Sequence, residues 1–265
     1  MSGHSKWAKI KRQKGANDVR KGMMFTKMAR NITLAAKEGG GDPTMNFALR
    51  IAIDKAKAVN MPSDNIERSI KKALGGDDKT QYQKIAYEAI LSNGAALIID
   101  CQTDNSNRTV ADIKKILDMA GAKLASVGSV AWQFSEHGLI VIKPARLKKS
   151  EKFGSDDQYI PVNAEEIEME LLDLKGVADI EEATQESDEG EEFKVLLITT
   201  TKNDFAKVVR EIENLQYEVL SFELIKKAKE SISLKDHDLE KVERLINNLD
   251  DHDDVDAVWS NVKDL

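Results

Sequence analysis

The sequence predicts an α+β protein: an N-terminal three-helix domain followed by two ferredoxin-like α+β domains, one inserted in the other. Three observations predict it. Apolar residues recur at the helical period through roughly the first quarter of the 265 residues. Beyond that point, β-branched runs bounded by Gly, Asn and Ser alternate with helical stripes. Finally, a strand–turn–helix–strand pattern occurs twice in the later part, as expected of repeated βα units.

The elements follow in order. A helix is expected from Asn17 to about Glu38, with Phe25, Met28, Ala29, Ile32, Ala35 and Ala36 forming one buried stripe and Gly39-Gly40-Gly41 ending it. A second spans about 45–59 and stops before Pro62. A third starts near Ser63 or Asp64, where Asp64 and Glu67 have capping-box spacing, and ends at Gly75-Gly76. Residues 84–91 and 95–101 read as strands joined through Ser92-Asn93-Gly94, and Asn-Gly is a strong hairpin signal. A helix over 107–120 buries Ile113, Ile116, Leu117 and Ala120, and short strands at 130–134 and 139–142 flank a polar turn with Gly138.

Residues 97–126 read strand, Thr-Asp-Asn turn, helix, strand, and 195–221 repeat that order. A second echo pairs the helix at 166–174 and strand at 177–181 with the helix at 239–249 and strand at 255–259. The chain order places one α+β domain inside the other. The expected domains are a basic helical one at 1–76, an α+β domain of 77–135 plus 235–265, and an inserted α+β domain at 136–234.

Charge is sorted along the chain. The net charge of −7 hides 16 Lys/Arg against 6 Asp/Glu in the first 75 residues, a balance of +10. The rest carries 23 against 40, a balance of −17. A basic module favours polyanions, and an acidic body limits how much surface can lie against them. No apolar run approaches the roughly 18 residues of a membrane span. The first residues lack the apolar stretch of a signal peptide, and a lone Cys101 fits a reducing compartment, so a cytoplasmic protein is expected. Cys101 itself reads as a core thiol.

The nucleic-acid candidates are Lys6, Lys9, Lys11, Arg12 and Lys14 in the leading segment, with Arg20, Lys21, Lys27 and Arg30 on the first helix. Lys and Arg neutralise phosphates and release counterions, which needs charge density more than exact placement. Trp7 among them is a candidate for stacking on an unpaired base. The plainer alternative is a solvated basic face with Trp7 in the helical core. No helix-turn-helix, zinc-finger or RNA-recognition signature is present, so phosphate-led binding is expected over sequence readout.

Catalysis is not expected. His4, His137, His237 and His252 are scattered, with no triad or metal-ligand spacing around them. Asp250-Asp251-His252-Asp253-Asp254 lacks the glycine and distal Glu of a calcium loop and reads as a solvated connection. The glycine triplet has neither the lysine nor the order of a phosphate loop. Thr103-Asp104-Asn105 with Arg108 is the best polar constellation in the body, and helix caps and Asx turns account for it. No enzyme activity, cofactor, metal, small-molecule substrate or membrane partner is expected.

Particular strings resemble the YebC/PmpR family: Gly3-His4-Ser5-Lys6-Trp7, Ile10-Lys11-Arg12-Gln13-Lys14, Phe25-Thr26-Lys27, Gly41-Asp42-Pro43 and Lys55-Ala56-Lys57 through Asn60-Met61-Pro62. Thr103-Asp104-Asn105-Ser106-Asn107-Arg108-Thr109, Gly128-Ser129-Val130 and Ala257-Val258-Trp259 extend the likeness over nearly the whole chain. The resemblance implies a three-domain cytoplasmic protein of a kind described as a DNA-binding transcriptional regulator. Relatives are also tied to translation, including a mitochondrial translational activator and ribosome-linked bacterial members. Two places depart from the family pattern. Its glycine-rich Tyr-Glu-Gly-Tyr-Gly-Pro stretch stands here as Tyr87-Glu88-Ala89-Ile90-Leu91-Ser92, and its Arg-Gly-Lys as Arg20-Lys21-Gly22. Three readings stay open: a DNA-binding transcriptional regulator, a ribosome-associated translation factor meeting ribosomal RNA, and an acidic scaffold that binds a basic protein.

Overall fold

The computed structural model describes residues 18–75, 82–148, 157–187, 190–263 and 265, with side chains from 21 onward. The helical segment holds α1 (Asp18–Gly39), α2 (Phe47–Ala58) and α3 (Ser63–Leu74). Then come β1 (Gln83–Ile90), β2 (Ala96–Thr103), α4 (Ser106–Met119) and β3 (Lys123–Ala125). A short 3-10 turn (Ala131–Gln133) leads into β4 (Phe134–Lys148), β5 (Gln158–Pro161), α5 (Ala164–Leu172), β6 (Val177–Glu186) and β7 (Glu192–Thr201). The chain continues through α6 (Phe205–Asn214), β8 (Tyr217–Ala228), α7 (Asp236–Asp250) and β9 (Val255–Ser260). It divides into two compact units, Met1–Ser135 with Lys226–Leu265, and Glu136–Ile225.

In the helical segment the predicted stripe faces the core, its second half buried and Phe25, Met28 and Ala29 partly so. Ile32, Ala35 and Ala36 of α1 pack against Leu49, Ala52, Ile53 and Ala56 of α2 and Ile66 of α3. One side chain ties the first turn between helices. Asn46 caps α2 by accepting from the Leu49 amide, and its Nδ2 donates to the Ala35 and Gly40 carbonyls at 2.8 Å each. Gly40 takes φ +87°, and a Cβ on Gly39 would lie 2.6 Å from Asn46 Nδ2, so both glycines are required by geometry. The expected α3 capping box does not form. Pro62 occupies the cap position, and its apolar ring has no acceptor to offer, while its fixed φ sets the entry to the helix.

The first unit carries an antiparallel sheet in the order β3-β1-β2-β9. The β1–β2 hairpin runs as expected, with Gly94 at φ +87° and Leu91 bonded to Ala95 across the turn. The departure Tyr87–Ser92 is therefore strand and turn, not a flexible glycine loop. Leu97, Ile99 and Cys101 of β2 face a core with Ile113 and Leu117 of α4 and Val242, Leu245 and Leu249 of α7. Burial, reinforced by neighbouring Asp100, Asp254 and Asp256, pushes the Cys101 thiol up to about 12. Four strands and two helices make an α+β sheet whose first two strands join by a hairpin, and which the C-terminal helix and strand complete.

The second unit has the order β5-β4-β7-β6, with β8 also on β4, and its β4-α5-β6-β7-α6-β8 course is a split βαβ pair. Arg146 holds Glu170 and the Tyr217 hydroxyl, each at 2.5 Å, tying α5 to β4 and β8. The two short strands expected at 130–134 and 139–142 are instead a 3-10 turn followed by one long strand. Gly138 is no turn residue. It lies in β4 because Phe205 and Thr200 approach too closely for a side chain; a Cβ would sit 2.1 Å from the Phe205 ring. Gly138→Ala is expected to destabilise the protein by about 1–3 kcal/mol through overpacking. Urea denaturation checks this, and unchanged stability would contradict the close approach.

Candidate nucleic-acid interface

Lys6, Trp7, Lys9, Lys11, Arg12 and Lys14 lie outside the described residues, and Arg20 falls in the first turn of α1. Lys21 is exposed. Further exposed cations that were not singled out from the sequence are Lys37, Lys57, Arg68, Lys71 and Lys72. Lys57, Lys71 and Lys72 occupy last turns of helices, where they also complement the helix dipole.

Lys27 and Arg30 have a different environment. Lys27 donates to the Asp250 carbonyl at 2.5 Å. Arg30 Nη1 donates to the carbonyls of Gln102 (2.7 Å) and Asp253 (3.1 Å) and pairs with Asp254 Oδ1 at 3.2 Å. The guanidinium lies 5.1 Å from the centroid of the Tyr82 ring. The next residue, Asn31, donates to Asp256 at 2.7 Å, and Lys84 pairs with Glu38 near the end of α1. Two cations of α1, Lys27 and Arg30, are thus laid against the chain's own acidic segment, while Lys21 and Lys37 are exposed.

Asp254 is the hub of that contact. It is 4% exposed, so the reading of 250–254 as a solvated connection fails at this residue. Its second oxygen accepts from Arg108 (3.0 Å) and Thr109 (2.8 Å), with the Thr103 hydroxyl at 3.3 Å. Asn105 caps α4 by accepting from the Arg108 amide, as the Asx reading expects, while the side chains around it grip Asp254. Burial alone would raise the Asp254 carboxyl. The Thr109 and Arg108 hydrogen bonds and the charges of Arg108 and Arg30 outweigh it and hold the carboxyl below the usual range. Sequence spacing could not reveal this hub, because its members are about 145 to 224 positions from Asp254.

A second node joins two further motifs. Glu88 on β1, only 5% exposed, accepts the backbone amides of Gly128 (2.6 Å), Val130 (2.5 Å) and Ala131 (3.0 Å). Among the described residues no group of three His, Cys, Asp or Glu side chains is placed to hold a metal ion. No described helix is long and apolar enough to cross a membrane.

Both nodes lie within the stretch that a known family model matches. The TACO1/YebC protein N-terminal domain matches residues 5–76, and the TACO1/YebC second and third domain matches residues 82–262. The chain belongs to the TACO1/YebC family. A probable transcriptional regulatory protein of Finegoldia magna is 40% identical over 265 residues, covering 98% of this chain and all of the relative. A protein of the same description from Thermoanaerobacter pseudethanolicus is 40% identical over 263 residues, covering 99% and 97%. Among solved structures, a conserved hypothetical protein from Aquifex aeolicus matches with a TM-score of 0.75 at 28% identity, covering 97% of this chain and 96% of that one. Within this TACO1/YebC-family fold, Asp254 and Glu88 hold the Thr103–Thr109 and Gly128–Val130 segments in place through buried carboxylates.

Proposed function

We propose that this chain is a cytoplasmic regulator that binds nucleic acid, DNA in the first reading, through its basic N-terminal helical segment, and that it is not an enzyme. The observation that carries the reading is the charge sorting: +10 in the first 75 residues against −17 elsewhere. Exposed Lys21, Lys37, Lys57, Arg68, Lys71 and Lys72 on the helices are consistent with it. The names of the relatives support a regulatory role. Structured RNA of the translation machinery is the second reading. It is favoured because the longest basic helix spends Lys27 and Arg30 on internal contacts, which leaves little for a helix that reads base edges.

The contacts proposed for Lys6, Lys9, Lys11, Arg12 and Lys14 are to phosphates, with Arg20 and Lys21 beside them. Replacing those first five with Ala in the full chain is expected to weaken all sequences alike. It should also flatten the log–log salt slope on duplex DNA by about 4 to 5, and by about 3.5 on single strands. Binding titrations at several salt concentrations, with duplex DNA and an RNA hairpin side by side, check this and rank the two readings. An unchanged slope, or strong preference for one duplex sequence, would reject phosphate-led binding. Trp7→Ala is expected to weaken only unpaired RNA, by about 1–3 kcal/mol, if the indole stacks on a base.

A further inference from the structure

We infer that the acidic 250–256 segment is an internal competitor for nucleic acid: in the free protein it holds Lys27 and Arg30 of α1, and it releases them to a phosphate backbone when a polyanion binds. The inference rests on the nucleic-acid reading above and adds its regulation. It makes the free chain a closed form whose basic helix is partly masked.

Four observations carry it. First, the segment contains five aspartates and no Lys or Arg, so it presents to α1 the kind of charge that a phosphate backbone presents. Second, the apolar core of the helical segment and the core of the sheet are separate clusters with no residue in common. The contacts that join α1 to the sheet through Lys27, Arg30 and Asn31 are polar, and such contacts exchange partners more readily than a shared apolar core. Third, the closed form is imperfectly satisfied. Arg30 Nε and Gln102 Oε1 are buried and make no hydrogen bond among the described residues, so opening would hydrate both.

Fourth, the exchange leaves no buried charge alone. When Arg30 leaves, Asp254 keeps Arg108, Thr109 and Thr103 on its other oxygen. Arg30 meanwhile trades one anion for another. Each partner is paired in both states, which is the condition for a two-state device whose balance a ligand can shift.

The test uses the full chain with spin labels at Ser63→Cys on α3 and Lys115→Cys on α4, both exposed positions outside the cations assigned to binding. Cys101, buried with its thiol pushed up to about 12, stays unlabelled. Asp254→Asn removes the charge facing Arg30 while keeping an oxygen for Thr109 and Arg108. Asp256→Ala, at an exposed position, removes only the Asn31 contact and does not threaten folding. Asp173→Asn on the second unit makes the same charge change elsewhere. With a short RNA hairpin and a duplex DNA as probes, Asp254→Asn is expected to raise affinity by about fivefold or more, Asp256→Ala by less, and Asp173→Asn negligibly. Label distances should lengthen when a probe binds the unaltered protein, and should already be longer in Asp254→Asn without a probe. Affinities equal to the Asp173→Asn control, or a distance unmoved by bound probe, would overturn the competition while leaving nucleic-acid binding intact. If no variant binds either probe, the nucleic-acid reading fails. The distances still decide the contact: rising salt should lengthen them, and constancy in salt and in Asp254→Asn would reject it.

Discussion

Asp254→Ala is expected to cost about 3–5 kcal/mol of folding stability, the range for removing one partner of a buried ion pair. Two fully buried hydroxyls, Thr103 and Thr109, lose their shared acceptor, and Arg30, with its side chain 12% exposed, keeps two backbone carbonyls and the Tyr82 ring but no anion. Arg108 is about half exposed, so water replaces its lost partner and moderates the effect. Asp254→Asn keeps an acceptor for Arg108 and Thr109 but turns an NH2 group toward Arg30, so it should cost less than the alanine, about 2–3 kcal/mol. Urea denaturation of the three proteins gives the comparison, and a loss below about 1 kcal/mol for the alanine would contradict the hub. The pH dependence has a definite sign. A carboxyl held below its unfolded value of about 3.9 contributes fully above that value, and its contribution is lost as pH falls through the lower native value. The stability difference between native protein and Asp254→Asn should therefore be flat at neutral pH and shrink in acid.

Glu88→Ala is expected to cost about 3 kcal/mol or more, because three backbone amides lose a charged acceptor at once. Glu88→Gln retains one oxygen but turns an NH2 group toward amides that also donate, so it should recover less than half of the loss. Burial raises the Glu88 carboxyl, yet the Gly128, Val130 and Ala131 amides hold it below its usual range. Its contribution too is present at neutral pH and lost in acid. Hydrogen exchange at residues 128, 130 and 131 gives the local reading. Exchange as slow in Glu88→Ala as in the native protein would show that the loop does not depend on Glu88. Trp132, 67% exposed and bonded through Nε1 to the Ser129 carbonyl, should move with that loop.

Both residues show where local pattern stops informing. Glu88 reads as one polar position in a strand, and nothing within the window of a strand says that its acceptors' partners lie some 40 residues on. Asp254 reads as one of several aspartates after a helix. Its burial is set by α4 and α1 closing over it from distant parts of the chain. Gly138 looked like a turn because glycine is common in turns, whereas its cause is the Phe205 ring across the sheet. By contrast the α1 stripe, the Asn93-Gly94 hairpin and the α4 cap were legible, since each depends on residues a few positions apart.

The sequence by itself determined the helical segment, the strand–helix echoes that make two α+β sheets, the insertion of one in the other and the sorting of charge. Those properties follow from periodicity and composition, which tertiary contacts do not alter. Only the tertiary structure decided which charges are available. Lys27 and Lys21 are the same residue on the same helix, yet Lys27, like Arg30, is bonded to the acidic segment while Lys21 faces solvent. Whether a cation is free or paired depends on what folds against it, and an anion over two hundred residues away leaves no mark on its neighbours in the chain.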